Sequence, residues 1–248
     1  MGEILRRELG AYFGSAAFWI GLAIFQLLLA FLFLSTLEYY GRIQLAFGRM
    51  DYLPGVTGMV AAPLFEHTAL FSFFLVPLLT MRLLAEERRV GTLRFLFSTP
   101  VSVAGICLGK YLALAAALLA LAGMALLIPL TLLAATPLDL PHLACAFLGL
   151  WLFLLALGAF GLFCSALTAL PVASATITYV SLLLLWILDR ADVADEDPLA
   201  HYLSPFVHLR VLLRGVLGTV DVVYFLLAVV VFLTLAVWRV GGERRGVL

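Results

Sequence analysis

Apolar residues gather into six long blocks, at 16–37, 68–84, 111–133, 142–167, 172–188 and 222–238. A helix needs about 17–25 such residues to cross a hydrocarbon core about 30 Å thick. The pattern therefore predicts six transmembrane helices in an all-α, polytopic membrane protein. Pro77 lies inside the second block and Pro129 near the far end of the third. Transmembrane helices tolerate proline where neighbours satisfy the freed backbone groups. Between the blocks run a polar, Gly- and Pro-containing loop at 38–66, reversals at 134–141 and Pro171, and an acidic loop at 189–198.

Three stretches break the pattern. In 3–13, Ile4, Leu5, Leu9, Tyr12 and Phe13 share one helical face while Glu3, Arg6 and Arg7 fall largely off it. Such a segment lies in the headgroup plane, or forms a plain overhang. In 199–218 the apolar run is interrupted by His201, Pro205, His208, Arg210, Arg214, Gly215 and Gly218, which fits a surface or re-entrant helix better than a lipid-exposed span. The third stretch, 82–102, is unlike the rest. Val90, Leu93, Leu96 and Phe97 recur at helical spacing, with Glu86, Glu87, Arg88, Arg89 and Arg94 around them. Pro100 stops that helix and disfavours helix at Thr99, and Ser102 can cap the next one. The residues alone leave two readings: an interfacial helix anchored to headgroups, or a grip on a partner protein.

Composition sharpens the membrane reading. The chain has 248 residues, 65% hydrophobic and 12% charged, with a mean hydropathy of +1.15. Soluble domains carry about 25% charged residues. The formal net charge of zero argues against nucleic-acid binding, which needs a clustered cationic surface. Cys107, Cys145 and Cys164 have no metal-type spacing and read as small packing residues. The first block is too long for a cleavable signal and reads as a signal anchor.

Charge also sets orientation. With both termini on one side, Arg6, Arg7, Arg82, Arg88, Arg89, Arg94, Lys110, Arg239, Arg244 and Arg245 fall on that side. These are ten of the 15 basic residues. Lys/Arg bias marks the cytoplasmic side, so both termini and the segment 82–102 are expected there.

Apart from Arg82, two residues from the end of the second, the blocks hold no Asp, Glu, Lys or Arg, which counts against ion-coupled transport. Gln26 is the main polar exception and is expected to make an interhelical hydrogen bond. No His-Glu-x-x-His or Gly-x-Ser-x-Gly motif occurs. His67, His142, His201 and His208 sit at outer ends or loops and are expected to be solvated; a metal site built from them and Glu66 is the alternative. Gly158, Gly161 and Ser165 make a small-residue stripe suited to close helix packing. The run Gly105-Ile-Cys-Leu-Gly-Lys110 lacks the spacing and hydroxyl of a phosphate loop, so no nucleotide chemistry is expected in this chain.

The stretch Pro77-Leu-Leu-Thr-Met-Arg-Leu-Leu-Ala-Glu-Glu-Arg-Arg-Val-Gly-Thr-Leu-Arg-Phe-Leu-Phe-Ser-Thr-Pro-Val-Ser, followed by Leu108-Gly-Lys-Tyr-Leu-Ala, closely resembles the ABC-2 type permeases. Arg7-Glu-Leu-Gly-Ala-Tyr-Phe and Arg214-Gly-Val-Leu-Gly-Thr-Val-Asp-Val-Val-Tyr-Phe resemble the branch that includes gliding-motility permeases. The resemblance implies the six-helix, type V exporter-like fold over 1–248 as one permease domain. It implies a coupling helix at 86–97 seated in a separate ABC ATPase, with Glu86, Glu87, Arg88, Arg89, Gly91, Thr92, Leu93, Leu96 and Phe97 at the contact. It also implies a connecting helix at 3–13, carrying Arg6, Arg7, Glu8 and Tyr12, and an external re-entrant segment at 199–218. ATP and Mg would be bound by the ATPase and no cofactor by this chain. A second permease subunit, identical or a sister, would complete the complex in the bacterial inner membrane, in contact with membrane lipids. The loop 38–66 is a candidate surface for a periplasmic accessory protein. An unidentified substrate would be moved across the membrane. The alternative is a membrane scaffold for an ATPase acting in motility, assembly or periplasmic metalloenzyme maturation.

Overall fold

Backbone N–H and C=O groups in lipid have no water to bond, so apolar blocks must satisfy them internally as helices. The computed structural model describes residues 2–47, 55–93, 101–190 and 204–247, and helices account for nearly all of them. In chain order these are α1 (Gly2–Phe13), α2 (Ala16–Phe47), a π turn (Thr57–Ala61), α3 (Ala62–Thr80) and α4 (Ala85–Val90). Next come α5 (Val103–Leu130), a 3-10 turn (Thr131–Ala134), α6 (Leu140–Leu167), α7 (Pro171–Arg190), α8 (Pro205–Leu213) and α9 (Thr219–Val247). Among the described residues, six helical stretches are long and apolar enough to span a membrane: Ala16–Leu45, Thr57–Val90, Val103–Ala134, Leu140–Leu167, Pro171–Arg190 and Thr219–Arg244.

The helices outrun the apolar blocks. The polar loop expected from residue 38 is instead the last turns of α2, which at 32 residues is about 48 Å long. Two pairs at i,i+4 support those turns: Arg42 to Glu38 at 2.7 Å and Gln44 to the Tyr40 hydroxyl at 3.1 Å. The second span begins at the π turn, within the stretch expected to be loop. Polar content suggests irregular backbone here, although the spacing of the polar pairs is helical.

α6 is the axis of the bundle. It is the most buried span and packs on α3, α5, α7, α8 and α9. α2, α7 and α9 are the most exposed. The small-residue stripe on α6 permits the close packing expected of it. A Cβ on Gly158 would come within 2.9 Å of Leu118 on α5, and one on Gly161 would collide with Thr80 on α3. Gly161→Ala is expected to cost about 1–3 kcal/mol, because a packed helix pair must part to admit the methyl. Gly123→Ala on α5, whose Cβ would meet nothing within 4 Å, is the control and should not destabilise. Thermal melts of the two variants in detergent check this.

α8 is the short helix expected within 199–218; residues 199–203 lie outside the described residues. Its Phe206 inserts between Phe73 and Phe153, with centroids 5.4 and 5.6 Å away. Gln26 makes its interhelical bond, donating to the Met124 carbonyl at 3.2 Å. All three cysteines are buried thiols. Two faces result. One carries α1, α4, the start of α5 and the end of α9; the other carries α8.

Candidate functional site

α3 ends at Thr80, a turn occupies Met81–Leu84, and α4 starts afresh at Ala85. A new helix start leaves backbone N–H groups without intrahelical acceptors. Ser165 of α6 supplies one: its hydroxyl accepts from the amides of Leu84 (3.1 Å) and Ala85 (3.0 Å) and lies 3.3 Å from the Met81 carbonyl. The base of α4 is thereby fixed to the bundle axis. Its other end stops at Gly91, where φ is +81°. The left-handed region is open to glycine and costly to residues with a Cβ. The helix expected over 86–97 is therefore interrupted, and its stripe is divided: Val90 is exposed while Leu93 is buried. Arg94, Leu96 and Phe97 lie outside the described residues.

Two charged side chains of α4 reach opposite ways. On one side, Glu87 Oε1 lies 2.8 Å from Lys110 Nζ on α5 and 3.0 Å from Arg7 on α1. Glu8 Oε1 of α1 makes the same two contacts, each at 2.9 Å. Two carboxylates thus hold a lysine whose side chain is 2% exposed. A buried cation is tolerated when paired in this way. Arg7 is 60% exposed, so its share is weakened by solvent. Tyr12 extends the link between α1 and α3, its hydroxyl donating to the Leu79 carbonyl at 2.9 Å. Burial raises the Tyr12 phenol pKa and keeps it a donor.

Burial works against ionisation of Glu8, but Lys110 and Arg7 outweigh it and hold its carboxyl below the ordinary range. The unfolded chain therefore takes up this proton first as the pH drops. The stability Glu8 adds is complete above its unfolded pKa of about 4.3 and disappears as pH falls through the lower folded value. Melts from pH 7 to pH 3 should show this loss below about pH 4, and Glu8→Gln should flatten part of it.

On the other side, Arg88 donates to the Thr168 carbonyl at 3.0 Å and pairs with Glu243 of α9 at 3.0 Å. Glu243 also lies 3.8 Å from Arg239, and Arg244 donates to the Val101 carbonyl before α5 at 3.2 Å. α4 is consequently tied to α1 and α5 by one residue, and to α9 and the α6–α7 turn by the next. Between these ties, Arg89, Val90, Gly91 and Thr92 form an exposed tip.

A family model described as ABC-2 family transporter protein matches residues 3–241. The chain belongs to the ABC-2 transporter family. It is therefore a multi-pass membrane permease of an ABC transporter. A comparison with curated proteins finds no match.

In this ABC-2 permease the sequence-derived site residues separate into groups. Glu8, Arg7, Glu87 and Arg88 carry the ties, whereas Arg6 and Arg89 are exposed. Glu86 lies 3.9 Å from Arg82 of the preceding turn, and Thr92 donates to the Glu87 carbonyl at 3.3 Å. Sequence reasoning missed Lys110, Ser165, Thr168 and Glu243. By sequence Lys110 merely opens the third span, yet α5 begins seven residues earlier and buries it. A lysine at the start of a span, with acids in the two amphipathic segments expected on the same side of the membrane, was the available signal.

The opposite face corrects the histidine expectation. His208 is buried, with Nδ1 2.6 Å from Asp221 Oδ1 and its ring stacked on Tyr224 at 4.1 Å. His142 Nε2 lies 2.8 Å from the Leu213 carbonyl and His67 Nδ1 2.6 Å from the Pro63 carbonyl. His208 ties α8 to α9 and His142 ties α6 to the end of α8, whereas the His67 contact stays within α3. His201 lies outside the described residues. Among the described residues no three His, Cys, Asp or Glu side chains group as metal ligands. Asp189 is likewise paired, accepting from Arg210 at 2.8 and 3.0 Å and from Ser204 at 2.8 Å.

Proposed function

We propose that this permease is driven by a separate ATPase docking on the exposed tip of α4, and that the paired ties of α4 carry the motion inward. The observation that carries this reading is the placement of Glu87 and Arg88. Adjacent on one six-residue helix, they engage α5 and α9. Pressing or tilting α4 would load both spans, a shear-type change. Arg89, Val90 and Thr92 would meet the ATPase, with Leu96 and Phe97 beyond them. Gly91 would let the chain turn sharply as it leaves α4. α1 would act as the connecting helix, bearing on Lys110 through Glu8.

The basic residues favour this face as the cytoplasmic one, with both termini inside and the bacterial inner membrane as the location. ATP and Mg would belong to the partner. The exposed spans α2, α7 and α9 leave room for a second permease subunit, identical or a sister. The sequence likeness favours the gliding-motility-type branch, which leaves the cargo open. A scaffold holding an ATPase in motility, assembly or metalloenzyme maturation would use the same joint without moving a substrate. Purification from membranes in mild detergent separates right from wrong: an ATPase subunit copurifies and is lost on Val90→Asp. An intact complex with no nucleotide-binding subunit would overturn the reading.

A further inference from the structure

α9 stays helical through Val247, past the apolar block that ends at Trp238. Its last turn holds the α4 tip segment at both ends. Glu243 pairs with Arg88 on α4 at 3.0 Å. The next residue, Arg244, donates to the Val101 carbonyl at 3.2 Å, one residue before the Ser102 cap of α5. The chain enters the tip at Arg88 and has left it by Val101, so one helical turn clasps both limbs. Water reaches this clasp: Glu243 is 27% exposed, against 2% for Lys110 in the opposite tie. Ion pairs open to water are weak. Gly241 and Gly242 lie between the clasp and the membrane-spanning part of α9. Glycine inside a helix is unfavourable relative to alanine, because its backbone has more freedom to lose. Close packing requires Gly158 and Gly161, but a Cβ on Gly241 or Gly242 would meet nothing within 4 Å among the described residues. Packing therefore gives no reason for this pair, and adjacent small residues of this kind are where helices bend. Arg239 and Glu243 span the two glycines at only 3.8 Å, a weak brace for a straight helix.

We infer that the end of α9 is a hinged strap. Closed, as in this structure, it clasps Arg88 and Val101 and couples α4 to α9. Bending at Gly241–Gly242 opens it and frees both limbs, while the ties of α4 to Lys110 and Ser165 stay in place. The strap thus decides whether motion of α4 reaches α9. That use rests on the proposed docking of an ATPase at the tip, whereas the opening and closing belong to the permease chain alone.

Hydrogen exchange of the full chain in lipid nanodiscs, with no ATPase present, tests the strap apart from that docking. Two regions are followed: the last turn of α9 at 243–247, and the tip amides at 88–91, among them Arg88 bonded to the Leu84 carbonyl. Gly241→Ala with Gly242→Ala should slow exchange in the last turn about tenfold, as the helix propensities of the two residues imply. It should also slow the tip about threefold, a part of the same gain, because tip amides exchange through the open strap. A Cβ on either glycine does not reach α4, so a local effect would stop at α9. Glu243→Gln with Arg244→Met removes the clasp and should speed tip exchange about fivefold, with 225–236 of α9 unchanged. A tip indifferent to the two alanines would leave only a fraying helix end. A tip indifferent to the release variant would show that nothing is clasped, and lost protection across 225–236 would make these residues supports of the whole helix. Each of the three results overturns the strap. Failure of an ATPase to copurify would remove the docking and leave these exchange results standing.

Discussion

Lys110→Met is expected to be the most damaging single change at the charged face, costing about 3 kcal/mol or more. It leaves Glu8 and Glu87 facing each other with their buried partner gone, and breaking a buried pair costs about 3–5 kcal/mol. Arg7 cannot replace it. Its side chain is 60% exposed, and exposed pairs are worth at most about 1 kcal/mol. Arg7→Ala should therefore cost under about 1 kcal/mol. Replacing the whole cluster is a different experiment. Glu8→Gln, Glu87→Gln and Lys110→Met together remove the three buried charges, leave only the exposed Arg7, and should recover most of the stability, since apolar or neutral replacements of a buried ionic group are often tolerated. That triple variant should still fail to transmit ATP turnover to the membrane helices. Denaturation in detergent reads the first effect. Nucleotide-dependent change in distance between labelled α5 and α9 reads the second. A Lys110→Met protein as stable as Arg7→Ala would refute the structural role of the lysine.

Arg88 and Glu243 should behave as a coupled pair, and reversing either should impair transmission more than stability. Arg88 is 14% exposed and Glu243 27%, so solvent weakens the pair only in part. Arg88→Glu loses the ion pair and the bond to the Thr168 carbonyl together. Glu243→Arg sets a new cation beside Arg239 as well as Arg88. The double reversal restores opposite charges but not the Thr168 bond, so rescue should be incomplete. A double-mutant cycle should give an interaction of about 1 kcal/mol, within the usual range for contacting residues. ATPase activity in the reconstituted complex should stay high in the single variants while its response to membrane-side conditions is lost. Strict additivity of the two reversals would show that the pair does not link α4 to α9.

The legible part of this fold was what a lipid environment dictates. Apolar block length gave all six spans, and the small-residue stripe announced a close helix approach, although only the structure shows that its partners are Leu118 on α5 and Thr80 on α3. Ser102 was readable as a cap, and it accepts from the Gly105 amide at 3.1 Å. What was not legible were contacts between residues far apart in sequence. Glu8, Glu87 and Lys110 look like three surface charges until helices α1, α4 and α5 converge. His208 and Asp221 look like loop residues until α8 folds back on α9. The extra turns of α2 were hidden for a local reason, because Gly41, Glu38 and Arg42 resemble loop composition while their spacing suits a helix. Gly91 stands out as part of a motif, but the continuous apolar stripe drawn across it hid the left-handed conformation that stops α4.

We propose that an ATPase engages the permease at the α4 tip. A photoreactive amino acid at Val90, 63% exposed at that tip, tests it in intact membranes. Leu133, 47% exposed at the other end of the bundle, is the matched control. Illumination should join Val90 to a subunit carrying nucleotide-binding motifs and leave Leu133 unjoined to it. Crosslinking of that subunit through Leu133, or none through Val90 in an assembled complex, would mean that the ATPase does not dock on the α4 tip.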